Sequence, residues 1–182
     1  MLEIVKAPNS VLSQKAKKIA KIDKSVLKLI KEMEISLEAA TDPIGVGLAA
    51  PQVGKSLRLF IAKPSLKSKI LVFINPVIVK KEDKVSLSST EKHQQKKLEG
   101  CLSLLNIWGE VKRFDEVWLS FLDQNGRRHH KKYSGFLATI VQHEIDHLNG
   151  VLFPKRVLEQ KGTLYKSEKD EKGQEVFEEI NL

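Results

Sequence analysis

An α+β domain is the fold class the sequence predicts, on three observations. Apolar side chains recur at helical steps in two separate stretches, and β-branched and aromatic runs of strand length lie between them. Asp123-Gln124-Asn125-Gly126 reads as a hairpin turn joining two of those runs. The 182 residues, 41% hydrophobic and 30% charged, suffice for one buried core. The expected organisation is one domain over residues 1–158 with an acidic extension over 159–182, which could belong to the same domain as a hairpin.

Asp23 can cap a helix in which Val26, Ile30, Met33 and Leu37 recur at three- and four-residue steps, with Lys28, Lys31, Glu32 and Glu34 on the other positions. This amphipathic helix ends before Asp42-Pro43, and a small-residue segment runs from Gly45 to Gly54. Strands are expected at 57–62 and 70–74, with Asn75-Pro76 as punctuation before a third at 77–79. Residues 80–97 read as an exposed loop or ragged hairpin, with His93 solvated. A strand at 116–122 returns through 128–133, where the adjacent His129 and His130 face opposite ways and are expected at the surface. Phe136, Leu137, Ile140, Val141, Ile145 and Leu148 then mark a largely buried helix closed by Asn149-Gly150. Runs at 163–166 and 175–180 suit a terminal hairpin or a frayed tail. No internal repeat is found.

Ten Gly and six Pro are too few for a collagenous or low-complexity chain, and no apolar run approaches the roughly 20 residues of a membrane-spanning helix. No membrane partner is expected. The single cysteine, Cys101, cannot form an internal disulfide, and Met1-Leu2-Glu3-Ile4-Val5 has neither secretory nor transit-peptide character, so a reducing cytoplasm is the expected location. The net charge is +8, yet residues 159–182 carry four lysines against seven acidic residues, so the basic excess lies upstream. Its clusters, Lys15 to Lys31 and Arg127, Arg128, Lys131 and Lys132, read either as a solvated surface or as a face for a polyanion. No nucleic-acid recognition signature accompanies them, and DNA is not an expected partner.

The chemistry lies in the buried helix. In His143-Glu144-Ile145-Asp146-His147 a four-residue step puts two imidazoles on one face, about 6 Å of rise apart, where they can share one ion. Glu144 beside them can reach a water at the metal without being a ligand, the position a general base needs. Catalytic sites usually take three protein ligands, and Cys101 within Glu99-Gly100-Cys101-Leu102-Ser103 is the candidate third, although a lone cysteine also suits a small buried hydrophobe. The Gly45–Gly54 segment lacks the marks of a phosphate loop. It reads as a tight connector, or as backbone open to an extended substrate with Gln52 as an amide donor.

Three motifs, the glycine-rich segment ending in Pro51-Gln52, Glu99-Gly100-Cys101-Leu102-Ser103 and Gln142-His143-Glu144-Ile145-Asp146-His147, occur in the order found in peptide deformylases, which the chain resembles over about residues 1 to 155. The resemblance implies an α+β fold with mixed or antiparallel sheets enclosing a central metal-binding helix and the N-terminal helix packed outside. It implies a metal-dependent hydrolase that removes the formyl group from N-terminal formylmethionine of newly made polypeptides and releases formate. Carried residue by residue, it makes Cys101, His143 and His147 the ligands and Glu144 the general acid and base, with the Gln52 amide and the Leu102 N–H stabilising the oxyanion. Val46, Glu99, Phe136, Thr139 and Ile140 would wall the methionine pocket, and the backbone at Gly47 would pair with the peptide. Asp146 would be a supporting residue partnered by Arg113, with an exposed helix carboxylate as the alternative. Ferrous iron is the metal implied; Zn2+, Ni2+ or Co2+ suit the same ligands.

Two departures from the family pattern stand out. Leu105 replaces a proline usual after Cys-Leu-Ser, which is expected to loosen a loop beside the cleft, and the acidic tail replaces the basic helix by which some relatives meet ribosomes. Ribosome contact would then fall to the basic surface. Two rival readings are a metal-bearing, ribosome-associated binding protein without turnover and a deformylase-like enzyme acting on another N-acyl peptide.

Overall fold

The computed structural model describes residues 1–83, 98–170 and 173–181; most of the expected 80–97 loop, His93 included, lies outside the described residues. Helix α1 (Lys24–Ala39) starts where Asp23 Oδ1 accepts from the backbone N–H groups of Ser25 and Val26 at 2.9 and 3.1 Å. That cap satisfies two of the four donors a helix start leaves unpaired. Its buried face, Val26, Leu29, Ile30, Met33 and Leu37, is the expected one.

Five antiparallel strands form the first sheet in the order β1-β2-β3-β6-β7: β1 (Gly47–Ala49), β2 (Leu59–Ala62), β3 (Leu71–Glu82), β6 (Glu116–Leu122) and β7 (Arg128–Ser134). A second, also antiparallel, runs β4-β5-β8-β9: β4 (Leu98–Cys101), β5 (Leu104–Glu110), β8 (Leu164–Lys169) and β9 (Glu175–Glu179). Helix α2 (Gly135–Leu148) follows β7 and ends at Asn149-Gly150 as expected, and α3 (Phe153–Glu159) precedes β8.

Alternation along β2 explains the layering. Leu59 and Ile61 join the α1 face in one apolar cluster, while Phe60 and Ala62 pack with Ala138, Ile140 and Val141 of α2 in another. Each fully buried side chain of this size contributes about 1.5–3 kcal/mol. With α1 on one face of the sheet and α2 on the other, β2 is buried throughout. α2 lies inside, between the five-stranded sheet and the β4 strand that carries Cys101, and α1 lies outside.

The expected break at Asn75-Pro76 does not end a strand. β3 continues through it as an irregularity, with the register shifting between Ile74 and Val77 and Asn75 at φ 51°. Asn75 is tolerated there because its side chain replaces a ladder: Oδ1 accepts from Ile19 N at 2.9 Å and Nδ2 donates to Ile19 O at 2.8 Å. The Gly45–Gly54 connector contains β1. Leu105 lies in strand β5 rather than a loop, half exposed, in a bulge where the β4 partners jump from Leu104 to Trp108 and Asn106 takes φ 60°. The 164–169 and 175–179 strands pair as a hairpin on β5.

Candidate metal centre

Helix α2 presents His143 and His147 one turn apart, and the end of β4 brings Cys101 to the same point. The three donor atoms lie within 4.8 Å of one another: His147 Nε2 is 3.3 Å from Cys101 Sγ and 3.2 Å from His143 Nε2. Two imidazole nitrogens and a sulfur this close, all but dry, cannot be satisfied by the few protons that fit between them; one shared cation satisfies all three. The trio is a metal-binding site. Burial raises the Cys101 thiol, but the neighbouring His147 and His143 outweigh it and hold it well below the ordinary thiol value, which favours the ligating thiolate.

Behind the site, His143 Nδ1 stands 3.1 Å from Glu99 Oε2, so Nδ1–H donates to the carboxylate and the Nε2 lone pair faces the sulfur and His147. Arg113 holds Glu99 with two further bonds, Nε to Oε1 at 2.8 Å and Nη2 to Oε2 at 3.0 Å. Burial would raise Glu99, but His143 and Arg113 pull it down to about 2. Asp146 is buried, not an exposed helix carboxylate: it accepts from Arg113 Nη1 at 2.6 Å and from Arg156 Nη2 at 2.7 Å. Arg156, on α3, had no sequence signal, because neither α3 nor its approach to α2 shows in local periodicity.

Glu144 is 3% exposed, its Oε2 has no hydrogen-bond partner, and burial pushes its carboxyl up to about 7 against the lowering pull of both histidines. Gly47 explains how a carboxylate fits there: a Cβ at that position would collide with the Glu144 carboxylate. Gln52 is fixed by its own Oε1, which accepts from Ala49 N at 2.8 Å, so Nε2 points at Ser103 Oγ (3.3 Å) and Cys101 Sγ (3.5 Å). Leu102 follows Cys101 directly and its carbonyl accepts from Lys6 Nζ at 2.6 Å. The N-terminal segment also donates from Val5 N to Gln52 O and from Ala7 N to Ser103 O, tying both neighbourhoods to one strand of chain.

A cavity of about 530 Å³ opens onto this group. Val46, Gly47, Gln52, Glu99, Leu102, Phe136, Thr139, Ile140, Glu144, Cys101 and His143 all line it; of the candidate site residues only His147 stands behind the wall. Trp108, Val111 and Phe114 also line it and were not singled out from sequence.

The polypeptide deformylase family model matches residues 1–162. A peptide deformylase of Symbiobacterium thermophilum is 44% identical over 154 residues, 84% of this chain, and the chain spans 65% of that relative's length. One from Borreliella burgdorferi is 41% identical over 84% of this chain and 85% of its own. The crystal structure of a Synechococcus elongatus peptide deformylase in complex with actinonin superimposes with a TM-score of 0.74 at 35% identity, over 85% of this chain and 79% of that one. The match runs through the 3-10 turn Ala50–Val53 after β1, through β4 and through α2, the elements that bring Gln52, Cys101, His143, Glu144 and His147 together, and the chain therefore belongs to the polypeptide deformylase family.

Proposed function

We propose that this protein hydrolyses the N-formyl group of formylmethionine at the start of newly synthesised polypeptides, releasing formate and a free amine. The observation that carries the reading is the convergence of a Cys-His-His site, a buried carboxylate with a free oxygen and an oriented amide donor on one cavity. The methionine side chain enters between Val46, Phe136, Thr139 and Ile140, whose mostly apolar surface suits a thioether. The peptide backbone runs along Gly47 as an added strand, which gives affinity for many sequences and concentrates selectivity at the first residue.

Cys101, His143 and His147 hold one divalent ion, ferrous iron natively, with Zn2+, Ni2+ or Co2+ able to take the same ligands. Held by these three residues, the ion would supply the acidity of a water and the polarisation of a carbonyl oxygen. Glu144 accepts the proton of the attacking water through its unpartnered oxygen and delivers it to the departing nitrogen as the carbon–nitrogen bond breaks. The Gln52 amide and the Leu102 N–H donate to the oxygen that gains charge. Glu99 and Arg113 keep the His143 ring turned, and Asp146 with Arg156 braces α2 from outside.

A reducing cytoplasm keeps Cys101 free of oxidation, and the lysine- and arginine-bearing β6–β7 hairpin gives the enzyme a basic face for passing contact with the ribosome. Formate release from a formyl-Met-Ala peptide tests the reading against both rivals: a binding protein releases none, and an enzyme for other N-acyl groups releases the acid of an acetyl peptide instead.

A further inference from the structure

Cys101 pairs with Leu104, so Leu102-Ser103 is the whole connection between β4 and β5. Neither residue takes a positive φ, so this is not the type I′ or II′ turn whose twist matches a two-residue hairpin, and its shape depends on what holds it from outside. Both of its carbonyls lie beyond the strand ladder, and the N-terminal segment takes both: Lys6 Nζ donates to Leu102 O at 2.6 Å and Ala7 N to Ser103 O at 3.0 Å. One residue earlier, Val5 N donates at 2.8 Å to the carbonyl of Gln52, in the turn Ala50–Val53. The segment is itself moored to α1. Ser36 Oγ accepts from Leu2 N at 2.7 Å and donates to Leu2 O at 2.8 Å, and Leu2 and Ile4 pack against the buried face of that helix.

Three consecutive residues thus grip two turns that belong to different sheets. One turn carries the Gln52 amide and the other the Leu102 N–H, the two donors to the oxygen that gains charge. β1 and β4 share no sheet, so no strand ladder sets the spacing of those donors. An oxyanion site works only when its donors are held in place beforehand, about 2.7–3.1 Å from the charge. We propose that Lys6 is a positioning residue for the hydrolysis: together with the Val5 and Ala7 N–H groups it fixes the Leu102-Ser103 turn against Gln52 and so sets how the two donors meet the formyl oxygen. The proposal rests on the deformylase reading. Lys6 is bound at the carbonyl of Leu102, which leaves the N–H of that residue for the substrate. Ser103 closes the link from the other side, where its Oγ accepts from Gln52 Nε2 at 3.3 Å and its N–H donates to Cys101 Sγ at 3.4 Å. A loosened turn leaves the methionine cavity as it was, so the loss falls on the transition state and not on substrate binding.

The test sets Lys6→Met, which keeps a long stem and removes the donor, beside Lys6→Arg, which keeps a donor. On formyl-Met-Ala amide, Lys6→Met is expected to lose about tenfold in kcat with KM within about twofold of wild type, and Lys6→Arg to recover more than half of the loss. Metal content and melting temperature stay at wild-type values, since Lys6 is exposed and is not a ligand. The Leu102 and Ser103 amides exchange faster with deuterium in Lys6→Met, a readout independent of turnover. In a Gln52→Ala background the kcat cost of Lys6→Met shrinks to less than about threefold, because the donor pair it serves is already broken. Wild-type kcat in Lys6→Met, a loss carried by KM, or an equal loss in both backgrounds overturns the proposal. A Lys6→Met protein that loses its metal or its fold overturns it too, by making Lys6 a general structural residue. A wild type that releases no formate overturns the deformylase reading and this proposal with it, whereas turnover indifferent to Lys6 overturns the proposal alone.

Discussion

Glu99 Oε2 lies 3.1 Å from His143 Nδ1, and the same carboxylate is gripped by Arg113. One strand residue thus sets which nitrogen of a helix histidine faces the metal-binding site. Glu99→Gln keeps the size but can present its NH2 to Nδ1, which permits the wrong tautomer. Metal affinity is expected to fall about 10- to 100-fold, read by competition with a chelator and by elemental analysis.

Glu144→Gln should leave metal content and melting temperature close to wild type while kcat falls about 10²- to 10⁴-fold. Formate release at wild-type rate by a metal-loaded variant would remove Glu144 from the proton path.

Gly47→Ala places a methyl group where the Glu144 carboxylate stands. The side chain must swing away from its position, and a displacement of about 1 Å is expected to cost about 10²-fold in kcat/KM. The far-ultraviolet circular dichroism should not change, because β1 keeps its pairing with β2. Restored activity in a Glu144→Asp/Gly47→Ala double variant would identify the collision as the cause.

Chelation should destabilise the wild type and not Cys101→Ala. An ion held at about 100 times its dissociation constant stabilises by about 2.7 kcal/mol, which for a domain of this size corresponds to about 5–10 °C in melting temperature. A melting temperature in the wild type that is indifferent to chelator would mean that Cys101, His143 and His147 do not hold the ion as a unit.

Asp23→Ala removes the acceptor for two N–H groups at the start of α1. About 1 kcal/mol of stability should be lost, measured by urea unfolding, with kcat/KM unchanged because α1 packs on the side of the sheet away from the cavity.

The helix pair and the metal-bearing motif were legible because their information is local: four-residue steps, a capping aspartate, and two histidines whose spacing fixes their face. Cys101 was legible only as a candidate, since nothing local says that β4 ends against α2. What escaped depends on distant partners. Asn75-Pro76 looks like a terminator until Ile19, 56 positions away, supplies the hydrogen bonds that let β3 continue. β1 hides among small residues because both of its faces are covered and it shows no alternation. β4 and β5 mix Glu99, Asn106 and Glu110 into short runs without a clean period, since parts of them face a cleft rather than solvent or core. Arg156 acts across a boundary between two helices that only packing creates.

The β8–β9 hairpin also bears on how the molecule meets its own copies. Its outer strand, β9, is the last of its sheet among the described residues, and Glu175, Glu178 and Glu179 stand exposed along it. The open border of the other sheet, β7, carries Arg128, Lys131 and Lys132 instead. Two copies brought together β9 to β9, or β7 to β7, would bring like charges together, Glu175, Glu178 and Glu179 on one border and Arg128, Lys131 and Lys132 on the other, which disfavours a growing ribbon of identical strands. That protection is electrostatic, and concentrated salt weakens it: crowded, saline preparations are where such accretion is expected first.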